Sequence, residues 1–202
     1  AALAALDEEE LLADAAALVR IPSITPEERS AAELFARLAA ERGLESRVLE
    51  HDLALLRADP DHPGEESART ELFSAIAVSP GLDAGAPRLA LNGHLDVVAP
   101  GSEKWSRDPW SGQIADGRLH GRGSVDMKGA VVAALHAVVA VAAAGGVPGH
   151  VGLQAVASEE DGCLGTFAAL SEDSDFAACL IPEPTAFAVA VLPASIAFAV
   201  LF

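Results

Sequence analysis

Apolar positions change period several times along this chain, and each change marks an element. Leu11, Leu12, Ala15, Leu18 and Val19 recur at helical spacing and predict a first helix. Ile21-Pro22-Ser23-Ile24 breaks that pattern. Thr25-Pro26-Glu27-Glu28 then reads as a helix start, with Thr25 as cap, Pro26 at the first helical position and Glu28 closing a capping box. Leu34, Phe35 and Leu38 supply its apolar face, and Gly43 ends it. Residues 46–49, 73–78 and 88–91 read as strands, and the polar stretch from Arg57 to Thr70 as a loop or insertion. Asp116-Gly117 between Ile114 and Leu119 is a hairpin signal. Residues 127–144 form the longest helical run, closed by Gly145-Gly146. Strand 151–157, a short helical piece and strand 177–181 follow; residues 187–191 and 196–201 read as two final strands.

Strands alternating with helices predict an α/β fold, a three-layer sandwich with a largely parallel central sheet flanked by helices. The apolar run at the end of the sequence carries no polar tail or turn, so the expectation is a truncated chain. Residues 1–185 would be a metal-binding catalytic domain, and 186–202 its last strands, leading toward an absent lid or dimerisation domain.

Three predicted strands run directly into acids or histidine. Leu89-Ala90-Leu91 leads to Asn92-Gly93-His94-Leu95-Asp96, residues 151–157 lead to Ser158-Glu159-Glu160-Asp161-Gly162, and residues 178–181 to Pro182-Glu183-Pro184. In a parallel sheet such strand ends share one edge, where open α/β folds place ligands. Asp126, after Gly121-Arg122-Gly123 and at the head of the long helix, is a fourth contributor. One imidazole with several carboxylates suits zinc or a similar divalent ion. Three carboxylates buried together without a cation would be costly. Asp96 stands where it can take the second ring N–H of His94. Adjacent Glu159 and Glu160, on extended backbone, would point opposite ways, one to metal and one to substrate as a general base.

Composition narrows the alternatives. The 202 residues are 51% hydrophobic and 21% charged, which is globular, and a chain of this length buries roughly 70% of its unfolded surface. A net charge of −17 argues against nucleic acid and against an anionic membrane. The two cysteines, Cys163 and Cys179, make no disulfide framework and read as small buried hydrophobes. The first ten residues lack a secretory pattern, and the reading is cytoplasmic. His51, His62 and His150 read as solvent-facing, and Trp105 and Trp110 as loop anchors. The sequence has no Gly-x-Ser-x-Gly elbow, no His-Glu-x-x-His and no complete dinucleotide fingerprint.

The ordered segments Gly93-His94-Leu95-Asp96-Val97-Val98, Asp108-Pro109-Trp110, Gly121 to Gly129, Glu159-Glu160-Asp161-Gly162 and Glu183-Pro184-Thr185 resemble the motifs of the M20 metallopeptidase family. The last of these, with the segment around Asp52 to Arg69, resembles its acetylornithine deacetylase and succinyl-diaminopimelate desuccinylase branch. The resemblance implies a zinc-dependent exopeptidase-like catalytic domain with two divalent ions, zinc first and cobalt as the alternative. It implies that His94 and Glu183 bind one ion, Glu160 binds the other and Asp126 bridges them. Asp96 would orient His94, Glu159 would be the general base, and the Asp126–Met127 peptide would be cis. The implied activity is hydrolysis of the amide bond in a small N-acyl amino acid. The alternatives are a dipeptidase or carboxypeptidase on the same scaffold, or an inactive fragment lacking a C-terminal histidine ligand and the lid. A full-length homodimer is implied as well. Three local departures, Ala99 displacing Pro100, Cys163 in place of glycine and His120 in place of an aromatic residue, are loop adjustments.

Overall fold

In a computed structural model of the protein, which describes residues 1–185, a mixed five-stranded sheet carries helices on its faces. The predicted strands 187–191 and 196–201, and the whole 186–202 segment, lie outside the described residues. In chain order the elements are α1 (Glu8–Val19), α2 (Arg29–Glu41), β1 (Glu45–Glu50), α3 (Leu53–Ala58), β2 (Phe73–Ser79), β3 (Leu89–His94), the hairpin β4 (Gln113–Ala115) and β5 (Arg118–His120), α4 (Lys128–Ala143), β6 (Val151–Val156), α5 (Leu164–Glu172) and β7 (Ala178–Leu180).

Local chemistry accounts for most boundaries. Asp7 caps α1 by accepting the Glu10 N–H at 3.0 Å, and Glu8, Glu9 and Glu10 sit in the first turn, where the helix dipole favours negative charge. Asp52 caps α3 in the same way through Ala54 and Leu55, a helix that the hydrophobic pattern is too short to announce. Gly43, at φ +82°, lets the chain leave α2 in a left-handed turn. The predicted capping box at α2 does not form. α2 begins at Arg29, the Glu28 side chain makes no cap bond, and the Thr25–Pro26 peptide is cis. The reason lies in tertiary contacts: the Thr25 hydroxyl donates to Asp96, and the Glu28 carboxylate is drawn into the interior by Arg69.

The strand order is β1-β2-β6-β3-β7. β1 and β2 pair antiparallel, as do β2 and β6, whereas β3 runs parallel to both β6 and β7. The parallel half is the half that matters for chemistry. Every residue of β6 is buried, as its central place demands, while β1 at the edge alternates in exposure. The main core joins α1, α2 and α4 to one face, with Leu18, Phe35, Leu95, Val132 and Leu135 within it. Gly93 lies under α4, where a Cβ would meet Val131 and Met127. Asn92 points the other way and accepts a bond from Thr166 of α5, so α5 covers the opposite face. A second, smaller core of Leu56, Leu72, Ala157, Leu164 and Ala168 lies there.

Cys179 is exposed and Cys163 half-buried, so neither is a core residue. His51 is buried, with its Nε2 3.0 Å from the Ser74 hydroxyl. Trp105 anchors its loop through Nε1 to the Pro100 carbonyl, as expected. Among the described residues no helix is long and apolar enough to cross a membrane.

Candidate metal centre

Parallel pairing of β6, β3 and β7 brings three strand ends to one edge, and the sequence at each end supplies a ligand-type side chain. His94 is the last residue of β3. Glu159 and Glu160 follow β6, and Glu183 follows β7. Asp126 joins them from the turn ahead of α4, where the Asp126–Met127 peptide is cis.

His94 is buried and is the hub. Its Nδ1 donates to the Asp96 carbonyl at 2.9 Å, leaving Nε2 as the nitrogen that faces the acids. Nε2 stands 3.0 Å from Asp126 Oδ1, 3.8 Å from Glu183 Oε1 and 3.9 Å from Glu159 Oε2. Two sets, His94–Glu159–Glu160 and His94–Asp126–Glu183, each bring their ligand atoms within 4.8 Å of one another. All six residues singled out from the sequence, Asp96 included, therefore meet at this edge.

Asp96 has a different contact from the one its spacing suggests. Its backbone carbonyl, not its carboxylate, takes the His94 ring N–H; the carboxylate oxygen is 3.5 Å away. The carboxylate instead accepts the Thr25 hydroxyl at 2.9 Å and the backbone N–H groups of Glu159 and Glu160 at 3.2 and 3.1 Å. These bonds explain the second departure. The chain after β6 is a turn and not extended, with Ser158 at φ +63°, so Glu159 and Glu160 both reach toward His94 instead of pointing apart.

The electrostatics ask for a cation. Burial would lower the basicity of His94, but the hydrogen bond to Asp126 and the nearby carboxylates of Asp96 and Glu159 outweigh it, and its pKa rises to about 11. Burial, reinforced by neighbouring carboxylates, holds the pKa values of Glu159, Glu160 and Glu183 above the ordinary range. Asp96 is fully buried, yet His94, the Glu160 N–H and Thr25 hold its pKa below normal. Five carboxylates share one imidazole as their nearest positive partner. Divalent ions fit that donor set of oxygens and one imidazole nitrogen.

Three supporting residues escaped the sequence reading. Thr25 reads as a helix cap and only the fold takes it to Asp96. Lys128 is buried, its Nζ donating to the Ile21 carbonyl at 2.6 Å, and burial lowers its pKa to about 8. Arg69, from the stretch read as a loop, has a fully buried side chain between Glu28 and Asp161. None has a local signal, because each partner lies tens of residues away.

Glu28 yields a pH prediction. Burial pushes its pKa from 4.5 to about 7, and Arg69, shared with Asp161, offsets this only in part. A raised folded-state pKa contributes stability that is complete below pH 4.5 and lost as pH rises through 7. Glu28→Gln, which never ionises, should gain on the wild type by roughly 1–3 kcal/mol between pH 5 and pH 8. Urea unfolding at the two pH values checks this; a pH-independent difference would contradict it.

An α/β sheet whose parallel edge gathers a buried histidine and converging carboxylates defines an α/β domain with a candidate site for divalent ions. The comparisons with known proteins agree. Residues 90–195 match the model of peptidase family M20/M25/M40, and the chain belongs to that family. It is similar to a succinyl-diaminopimelate desuccinylase of Rhodopseudomonas palustris, at 34% identity over 83% of this chain and 41% of the relative. A desuccinylase of Cereibacter sphaeroides is 37% identical over 89% of this chain and 43% of the relative. The chain thus spans less than half the length of these two relatives. Among solved structures it resembles the dipeptidase Dug1p of Saccharomyces cerevisiae, with a TM-score of 0.67 at 17% identity over 86% of this chain and 38% of that one. Human carnosine dipeptidase 1 gives 0.65 at 23% identity, over the same shares. The M20 carboxypeptidase Sso-CP2 of Sulfolobus solfataricus gives 0.64 at 20% identity, over 88% and 37%. These structural likenesses establish the fold.

Proposed function

We propose that this domain holds two divalent ions and serves the hydrolysis of an amide bond in a small, anionic N-acyl amino acid, with a succinylated amine as the first candidate. The observation that carries the reading is the convergence of Asp126, Glu159 and Glu183 within 3.9 Å of His94 Nε2. The desuccinylase relatives support the substrate class. Zinc is the first assignment and cobalt the second; a cytoplasmic, homodimeric protein completes the reading.

His94 and Glu183 would hold one ion, Glu160 the other, and Asp126 both. When bound, such ions acidify a water and polarise a carbonyl. Glu159 takes a proton from the attacking water as its oxygen bonds to the carbonyl carbon. It returns that proton to the amine nitrogen as the C–N bond breaks, so atoms and charge balance. Its half-buried, acid-crowded setting raises its proton affinity and suits it to that task. Asp96 keeps Glu159 and Glu160 in place through their backbone N–H groups.

Cobalt titration tests the reading. Two equivalents should bind, with the His94 ring resonances perturbed, and a hundredfold excess over Kd should stabilise the fold by about 2.7 kcal/mol for each site filled. A panel of succinylated, acetylated and dipeptide substrates then distinguishes acyl classes. A protein that takes up no cobalt overturns the proposal, and one that cleaves only dipeptides overturns its substrate class.

A further inference from the structure

The segment from Arg57 to Thr70 reads in the sequence as a surface insertion, yet it ends in a fully buried arginine. Arg69 Nη2 lies 3.2 Å from both carboxylate oxygens of Asp161 and 3.4 Å from Glu28 Oε1, and its Nη1 lies 3.4 Å from Glu28 Oε2. Asp161 directly follows the Glu159-Glu160 pair. It is held by more than the ion pair: its carbonyl accepts the Glu66 N–H at 3.3 Å, and its carboxylate accepts the Ser67 N–H at 3.2 Å and the Ser158 hydroxyl. The segment is braced in turn by Arg57, which donates to Glu65 and to the Arg69 carbonyl.

The acidic turn is therefore gripped from two sides. Asp96 takes the backbone N–H groups of Glu159 and Glu160, and Arg69, with the strap before it, takes Asp161 one residue on. Buried ion pairs contribute little net stability, because desolvation offsets their attraction. What a bidentate guanidinium between two carboxylates does supply is a fixed geometry. The part fixed here is the turn that carries two of the carboxylates facing His94.

We propose that Arg69 is a positioning residue. Acting through Asp161, it sets where Glu159 and Glu160 stand relative to His94, and so governs divalent-ion affinity and turnover. The inference rests on the metal-site reading above and adds to it a determinant outside the ligand set.

The test uses the full chain and Co²⁺ alone, followed by visible absorbance and calorimetry, with kcat and KM measured separately and thermal unfolding recorded for each variant. Asp161→Asn keeps the shape but replaces one acceptor oxygen with an NH2 donor and removes the charge that Arg69 grips. It should weaken Co²⁺ binding roughly 10–100-fold, alter the cobalt band intensities and lower kcat by a similar factor, with KM near the wild-type value and the fold intact. Arg69→Lys retains the buried charge but has one nitrogen in place of the fork, and should show the same changes at smaller amplitude. It carries the test if Asp161→Asn does not fold. Arg88→Gln breaks an arginine–aspartate pair at the opposite end of β3 and should leave Co²⁺ binding unchanged. A folded Asp161→Asn protein with wild-type affinity, spectrum and kcat overturns this proposal while the metal centre stands. Equal losses in Arg88→Gln, which would mark a general effect of stability, overturn it as well. A wild-type protein that binds no Co²⁺ overturns both readings.

Discussion

Glu159→Gln should slow amide hydrolysis by about 10²–10⁴-fold while metal stoichiometry stays at the wild-type value. Glutamine keeps the volume and hydrogen-bonding reach of the side chain but cannot take a proton from water. The backbone N–H of residue 159 still donates to Asp96, so the turn keeps its place. Glu159 Oε2 stands 3.9 Å from His94 Nε2, and Glu183 Oε1 stands at 3.8 Å. Distance from the imidazole does not separate a base from a ligand here, whereas the metal content of the variant does. Single-turnover hydrolysis together with metal analysis of the same sample checks the expectation. Near-wild-type turnover with metals bound would remove Glu159 as the base. Loss of metal together with turnover would make it a ligand, an outcome that its proximity to His94 and Glu160 makes worth measuring.

Asp96→Ala should cost the metal-free protein about 3–5 kcal/mol, the range for deleting one partner of a buried charged network. Asp96 is fully buried and accepts three hydrogen bonds, from Thr25, Glu159 and Glu160. Alanine leaves three buried or half-buried donors without their acceptor, each costing about 1–3 kcal/mol. It also leaves the segment around Thr25 and the acidic turn untied from one another. Relief of repulsion among the remaining acids opposes this loss without cancelling it, because His94 also loses a neighbouring carboxylate. Urea unfolding of the metal-free variant is the measurement. A loss below about 1 kcal/mol would mean that these donors find water or other acceptors readily, and Asp96 would not be the tie that its contacts describe.

Much of the architecture is legible without coordinates. The helical spacing of Leu11, Leu12, Ala15, Leu18 and Val19 and the run from Met127 to Ala144 correspond to α1 and α4, because an amphipathic or fully apolar helix writes its burial into its own period. The strands before His94, Glu159 and Glu183 were legible for a similar reason: a short apolar run that ends abruptly in acid or histidine marks a buried strand meeting a polar edge. The mixed character of the sheet was not legible. β2 resembles the parallel strands in composition, and only its pairing with β1 and β6 shows that it runs the other way.

The site divides along the same line. Which residue types gather, one imidazole and several carboxylates at strand ends, was a property of the sequence, since strand length and polarity place them there whatever their partners are. How they are held was decided by the fold alone. Thr25 left its predicted capping role for Asp96, Asp96 turned its carboxylate to the acidic turn and its carbonyl to His94, and Arg69 left an exposed-looking stretch for a buried place between Glu28 and Asp161. Each of those contacts joins residues far apart in the chain, and a hydrogen bond across such a distance leaves no periodic trace in either partner. Local pattern fixes what a segment becomes; the partner that a buried charge finds is settled only when the segments pack.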